Sequence, residues 1–242
     1  MFKRYRIPFI TVFSVLLIDQ FIKIFIKLHY PLGEVGRLAN WCVIHFTENP
    51  GMAFGFEFGG ESGKLVLSIF RILACIGGAV YIRHIVKKGE HPGFIFSVAL
   101  ILAGAMGNIL DSAFYGLIFD KGTVLNRDFQ EYIPYDGVAS LTTHGYAPSM
   151  YGCVVDMFYF PLINGHFPSW LPIWGGEEFQ FFRPIFNFAD ASISGGVITI
   201  LLFQKKFARQ RHHPEISEGN AHHAPVVNSA NDLNQQSHEN SV

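Results

Sequence analysis

Asp190 stands in FNFADASISGGVITILLF (residues 186–203), where nearly every other side chain is apolar or small. A carboxylate in a membrane-spanning helix costs roughly 2.5–3.5 kcal/mol on insertion scales, so such residues are rare and usually functional. No opposite charge lies three or four residues away on the same stretch, so the partner of Asp190 must come from another element. Asp156, in YGCVVDMFYFPL (151–162), is the second carboxylate in an apolar setting. A turn or cap is the plain role for a lone aspartate, but neither Val154 and Val155 nor Met157 to Phe160 has turn chemistry. Burial raises a carboxyl pKa, and a second carboxylate raises it further. Two acids that share one proton supply a base and an acid together at neutral pH, which is what water attack on a carbonyl requires.

Further polar residues interrupt apolar stretches: Asp19, Lys23, Arg71, Asn108 and Asp111. At a rise of about 1.5 Å per residue, Asp19 lies about 18 Å and Lys23 about 24 Å from the basic end of the first stretch. Asn108 and Asp111 come out at about 21 and 25 Å along the third. Arg71 and Asp190 lie about 10–12 Å below the opposite surface of a core about 30 Å thick. All six are therefore expected in one half of the bilayer. Plainer roles compete. Asp19 and Lys23, spaced i and i+4, suit mutual neutralisation, Arg71 suits snorkelling, and Asn108 and Asp111 suit helix-end hydrogen bonding as well as a site.

Other chemistries find no residues. There is no His-Glu-x-x-His, no Gly-x-Ser-x-Gly and no phosphate-cradling glycine loop followed by lysine, so no metal or cofactor is expected. Ser112, Ser192 and Ser194 have no histidine at the same depth to activate them. Cys42, Cys75 and Cys153 form no metal motif and are read as free thiols, a Cys42–Cys153 disulfide being the alternative. A formal net charge of −1 without a basic, aromatic-interleaved face argues against nucleic acid as partner.

The elements that must position these residues are membrane helices. Half of the residues are apolar, and four stretches reach the roughly 20 residues that a span needs: 7–27, 63–85, 94–115 and 183–203. The first follows Lys3, Arg4 and Arg6 but lacks a small-x-small cleavage site, so it is read as a retained span. Basic residues flank its start, join spans two and three (Arg83, Lys87, Lys88) and follow span four (Lys205, Lys206, Arg209, Arg211), placing both termini in the cytoplasm. The expected fold is an integral membrane, mainly α protein: four transmembrane helices with a small β-rich extracytoplasmic surface element. Residues 1–207 form the membrane domain. Within it, 29–62 is a surface segment of short strands and turns, and 116–182 an extracytoplasmic segment whose Trp170 and Trp174 suit the headgroup layer. Residues 208–242 are polar and aperiodic, an expected disordered cytoplasmic tail.

Five blocks in this order resemble the lipoprotein signal peptidases, the type II signal peptidases of bacteria: DQFIK (19–23), NPGMAFG (49–55), GAMGNILD (104–111), VVD (154–156) and FNFAD (186–190). The resemblance covers most of the chain up to about Phe203. It implies a membrane aspartic endopeptidase of the bacterial inner membrane, with its active site near the outer leaflet and Asp156 and Asp190 as the catalytic pair. Asn49, Gly51, Asn108, Asp111, Asn187 and Ala189 would line or support the site, and Asp19 and Lys23 would form a supporting pair. The implied substrate is a prolipoprotein whose cysteine carries diacylglycerol, cut just before that cysteine. Membrane lipid and a globomycin-type inhibitor are the other implied partners, and the protein is expected to act as a monomer.

The chain departs from this family in two places. Ser112 stands where the family usually has arginine, and an extra stretch, residues 117–151, precedes the VVD block. That stretch is open to three readings: a lid, a partner site or a tolerated surface insertion. An ion-coupled transporter would also use intramembrane acids, but it should space polar groups through the whole membrane. A structural subunit would lose assembly, rather than turnover, on Asp190→Asn.

Overall fold

The computed structural model describes residues 2–39, 41–51, 60–126, 128, 131–161, 163–181 and 184–209. Residues 52–55 of the NPGMAFG block, Arg183 and residues 210–242 of the expected tail lie outside the described residues.

Four long helices carry the chain: α1 (Phe2–His29), α2 (Gly60–Lys88), α3 (Pro92–Leu110) and, after the short α4 (Gly116–Ile118), α5 (Phe188–Arg209). Among the described residues, three helical stretches are long and apolar enough to cross a membrane, Tyr5–His29, Gly63–Lys88 and Pro92–Ile118. The third is continuous only because a π-helical turn, Asp111–Tyr115, joins α3 to α4. Phe9, Phe13, Leu17, Phe21 and Phe25 of α1 and Val66, Phe70, Leu73 and Val80 of α2 are exposed. Lipid is a solvent in which such faces are stable without a protein partner.

The expected fourth span, 183–203, is corrected at its start. Ile185–Phe186 form a strand, Asn187 precedes the helix, and α5 begins only at Phe188. It then continues to Arg209, past the expected start of the tail at 208. α5 carries Asp190, Lys205, Lys206 and Arg209 and is not among the three stretches above. It lies against α3 at backbone contact. A Cβ on Gly104 would sit 2.2 Å from the Ala189 carbonyl oxygen, and one on Gly196 would sit 2.6 Å from that of Ser97. Small residues permit that approach between helices.

One end of the helices is covered by an antiparallel sheet. Its strands are β1 (Val35–Ala39), β2 (Cys42–Asn49), β5 (Val154–Tyr159) and β8 (Ile185–Phe186), in spatial order β1-β2-β5-β8. The expected surface segment 29–62 thus supplies β1 and β2, while its last three residues, Gly60–Ser62, belong to α2. β3 (Val124–Asn126) pairs with β4 (Glu131–Ile133), and β6 (Ile163–His166) with β7 (Glu178–Phe181). Trp170 and Trp174, between β6 and β7, are exposed.

The core beneath the sheet joins Ile26 of α1, Ile44 and Phe46 of β2, Tyr115 of the π turn, and Val155 and Met157 of β5. Phe119 and Ala139, from the extra stretch, are buried in the same cluster, with Tyr135 and Tyr146 against it. The extra stretch thus contributes Phe119, Ala139, Tyr135 and Tyr146 to this core, while many of its other described residues are exposed. Cys42, Cys75 and Cys153 are free.

Candidate active site

The first turn of α5 is shaped by a reciprocal cap. Asn187 Oδ1 accepts from the Asp190 amide at 2.9 Å, and Asp190 Oδ2 accepts from the Asn187 amide at 3.3 Å. This satisfies two of the amides that a helix start leaves unpaired. Asp190 is thereby held at the helix N-terminus, where the dipole suits negative charge. Asp156 arrives from β5, paired across from Thr47 of β2. The Asn187 Nδ2 group donates to Asp156 Oδ1 at 2.6 Å, so one asparagine touches both carboxylates.

Asn108 of α3 closes the link. Its Nδ2 donates to Asp190 Oδ1 at 2.8 Å, and its Oδ1 accepts from Asn187 Nδ2 at 3.1 Å and from Lys23 Nζ at 2.9 Å. The orientations of both amides follow from the donors. An ammonium only donates, so Asn108 must present its oxygen to Lys23 and its nitrogen to Asp190. The Asp190 amide only donates, so Asn187 must turn its nitrogen toward Asp156.

Behind these amides lies a fully buried charge cluster. Lys23 Nζ is 3.0 Å from Asp19 Oδ2 and 2.8 Å from Asp111 Oδ2. Asp19 Oδ1 also accepts from the Ala189 amide at 2.9 Å, so a residue of α1 caps α5. Asp111 accepts from Gln20 Nε2 at 2.8 Å and from the Val155 amide of β5 at 3.3 Å. Asp19 and Lys23 thus do more than neutralise each other; they tie α1, α3, α5 and β5 together. A buried pair survives only when its remaining lone pairs are also satisfied, and here they are.

Electrostatics act strongly on Asp156. Burial, and then the neighbouring Asp190 charge, push the Asp156 carboxyl from 3.8 to about 8. Both Asp190 oxygens accept N–H groups, which suits a charged acceptor. The Arg71 guanidinium of α2 acts on both carboxylates without an ion pair among the described residues. A carboxyl that keeps its proton at pH 7, bridged by amides to a second carboxyl, is an arrangement that can polarise a carbonyl beside a base.

Of the remaining expected site residues, Asn49 ends β2, and its Oδ1 accepts from the Gly51 amide at 2.9 Å. Gly51, at φ 109°, adopts backbone that a side chain would strain. Ser112 is buried and donates to the Asn108 carbonyl at 3.2 Å. The structure therefore brings Asp19, Lys23, Asn108, Asp111, Asn187, Ala189, Asp156 and Asp190 into one connected network. Asn49 pairs with Val154 across β2 and β5, two residues before Asp156.

Gln20 was missed by the sequence reading. It bonds Asp19, Asp111 and the Gly107 carbonyl, and accepts from Tyr115 OH. Lys27 was missed too: fully buried, it bonds Glu48 of β2 under the rings of Phe119, Tyr135 and Tyr146. Its spacing was the available signal: Asp19, Lys23 and Lys27 follow one another at intervals of four residues.

The chain is similar to known proteins of one family. Residues 11–205 match the family model described as signal peptidase (SPase) II. A lipoprotein signal peptidase of Porphyromonas gingivalis is 50% identical over 189 residues, 77% of this chain and 77% of that protein. One of Amoebophilus asiaticus is 34% identical over 197 residues, 80% of this chain and 75% of its own. A bacterial membrane enzyme solved by the in meso method aligns at a TM-score of 0.49 and 20% identity, over 82% of this chain and 92% of that one. With the match running from α1 into α5, the chain belongs to the signal peptidase II family.

Proposed function

We propose that this protein removes the signal peptide from prolipoproteins whose cysteine carries diacylglycerol, cutting just before that cysteine. Asp156 and Asp190 are the catalytic pair. The single observation that carries this reading is the amide bridge from Asp156 through Asn187 and Asn108 to Asp190, buried where the sheet meets the membrane helices. Asp190 takes a proton from water as its oxygen attacks the scissile carbonyl, while protonated Asp156 donates to the carbonyl oxygen. The tetrahedral intermediate collapses as a carboxyl proton passes to the leaving amine and the C–N bond breaks. Asp19, Lys23 and Asp111 position the pair, and Asn49 and Gly51 line the approach of the substrate backbone. A lipid-anchored cysteine delivers the bond to the sheet end of the helices.

In this reading α5 is the fourth span, both termini lie in the cytoplasm, the sheet end faces outward, and the enzyme works as a monomer in the bacterial inner membrane. The peptidase domain runs to the end of α5 at Arg209, and the residues after it are a cytoplasmic tail. Globomycin-type inhibitors compete for the same groove. The test is cleavage in detergent of a prolipoprotein with and without its diacylglyceryl group. Wild type is expected to cut the lipidated form alone, and Asp156→Asn and Asp190→Asn to lose at least about 10³-fold in rate while remaining folded. Normal cutting by either variant sinks the pair; normal cutting of unlipidated substrate sinks the lipid requirement.

A further inference from the structure

Lys64, in the first turns of α2, is 7% exposed and lines a cavity of about 410 Å³ shared with Thr123, Tyr132, Tyr146 and Tyr151. That volume lies within the roughly 300–1,000 Å³ typical of ligand clefts. The Lys64 ammonium donates to the Tyr151 carbonyl at 2.6 Å and lies 3.8 Å from Cys153 Sγ. Neither neighbour is a counter-ion. Burial, eased only in part by Lys64, pushes the Cys153 thiol up to about 11, so it is neutral beside the lysine. Among the described residues Lys64 has no ion-pair partner. Glu48 acts on it from a distance but is bound to Lys27 and accepts from the Thr123 amide at 2.7 Å, and Arg71 adds a like charge. A buried cation without an opposite charge is costly unless something supplies one.

The position says what supplies it. Lys64, Ser68 and Arg71 share one face of α2, being four and three residues apart. Arg71 acts on Asp156 and Asp190, and Lys64 lies seven residues away, about 10 Å along the helix toward the sheet end. The stem of Lys64 packs on the Asn49–Gly51 turn, where a Cβ on Gly51 would meet its Cγ at 3.5 Å. Ten ångströms is the reach of about three extended residues. A substrate chain extended from the carboxylate pair along this face of α2 would reach the cavity about three residues from the cut. We infer that this cavity is a subsite for an acidic side chain near the start of the substrate's mature segment, with Lys64 as its counter-ion. The inference rests on the prolipoprotein reading above.

The full-length protein in detergent is given matched lipidated prolipoproteins with Asp, Asn or Lys at the second to fourth mature positions. Wild type is expected to show a kcat/KM about tenfold higher for Asp than for Asn, the size of one charge-assisted hydrogen bond, and lowest for Lys. In Lys64→Gln the Asp-to-Asn ratio falls to about one; in Lys64→Arg it persists. The ratio within each variant cancels any general loss of folding, and the ordering in wild type stands as a test if Lys64→Gln does not fold. Equal wild-type rates for Asp and Asn overturn the inference, as does a ratio unchanged in Lys64→Gln. Rates indifferent to substrate charge but responsive to added anionic phospholipid through Lys64 also overturn it and name a headgroup as the occupant. Failure of wild type to cut even the Asn substrate overturns the prolipoprotein reading itself, and this inference with it.

Discussion

Asn187 donates to Asp156 and Asn108 with its nitrogen and accepts from the Asp190 amide with its oxygen. Replacing it with alanine removes a helix cap, worth about 1 kcal/mol, and also frees both carboxylates. Asn187→Ala is therefore expected to lower kcat far more than its modest drop in thermal midpoint suggests. Similar fractional losses in both would reduce Asn187 to a cap. The Asp156 carboxyl, at about 8 in the fold against 3.8 without it, sets a pH dependence with a definite sign. The folded state holds this proton more tightly, so its contribution to stability is complete below about pH 4 and is lost as pH rises through about 8. In the proposed mechanism its proton is also the one needed on the substrate carbonyl. kcat/KM is expected to fall as pH rises through about 8, and an alkaline limb near pH 10 in a rate profile would assign the essential acid elsewhere.

At the scale of elements, the site depends on how closely α3 and α5 meet. Gly104 faces the Ala189 carbonyl, and a Cβ on Gly107 would lie 2.7 Å from Asp19 Oδ2. The neighbours in both cases are backbone or a committed carboxylate, which cannot swing aside. Gly104→Ala is expected to push α5 outward, at a stability cost of about 1–3 kcal/mol, and to displace Asp190 from Asn108. Cleavage rate should fall at least tenfold while substrate binding changes little; an unaffected rate would show that α5 can shift without disturbing the pair. The helix itself was legible in the sequence from its apolar run, but its first residue was not. The stretch Arg183 to Asn187 reads as helix by hydropathy, yet Phe186 pairs with Phe158 across β8 and β5. Strand pairing with a segment almost thirty residues away overrides local preference there.

For the whole molecule, part of the extra stretch 117–151 packs over a buried ion pair. It desolvates the Lys27–Glu48 pair through Phe119, Tyr135 and Tyr146, and its Thr123 amide donates to Glu48. Breaking a fully buried pair strands one charge and typically costs about 3–5 kcal/mol, whereas replacing both members with apolar residues is far milder. Lys27→Met is expected to lower the thermal midpoint in detergent strongly, and Lys27→Met with Glu48→Leu to recover much of it. A double variant as unstable as the sum of the single ones would show that the two charges act independently.

The sequence by itself determined which residues are polar where only apolar ones are stable. Asp19, Lys23, Asn108, Asp111 and Asp190 could be singled out because each breaks an otherwise apolar helix, and the cost of doing so is local. The order of their blocks was enough to recognise the family. Asp156 needed more, since a strand of six residues carries no depth of its own. Tertiary structure alone decided who bonds whom. Nothing near Lys27 in the chain announces Glu48, Gln20 is indistinguishable from any polar helix residue until α3 lies beside it, and nothing in 117–151 announces that Phe119, Tyr135 and Tyr146 close over a lysine. Burial propensity is written residue by residue in side-chain chemistry, but hydrogen bonds and ion pairs require two atoms within a few ångströms, and only the packing of distant elements brings them there.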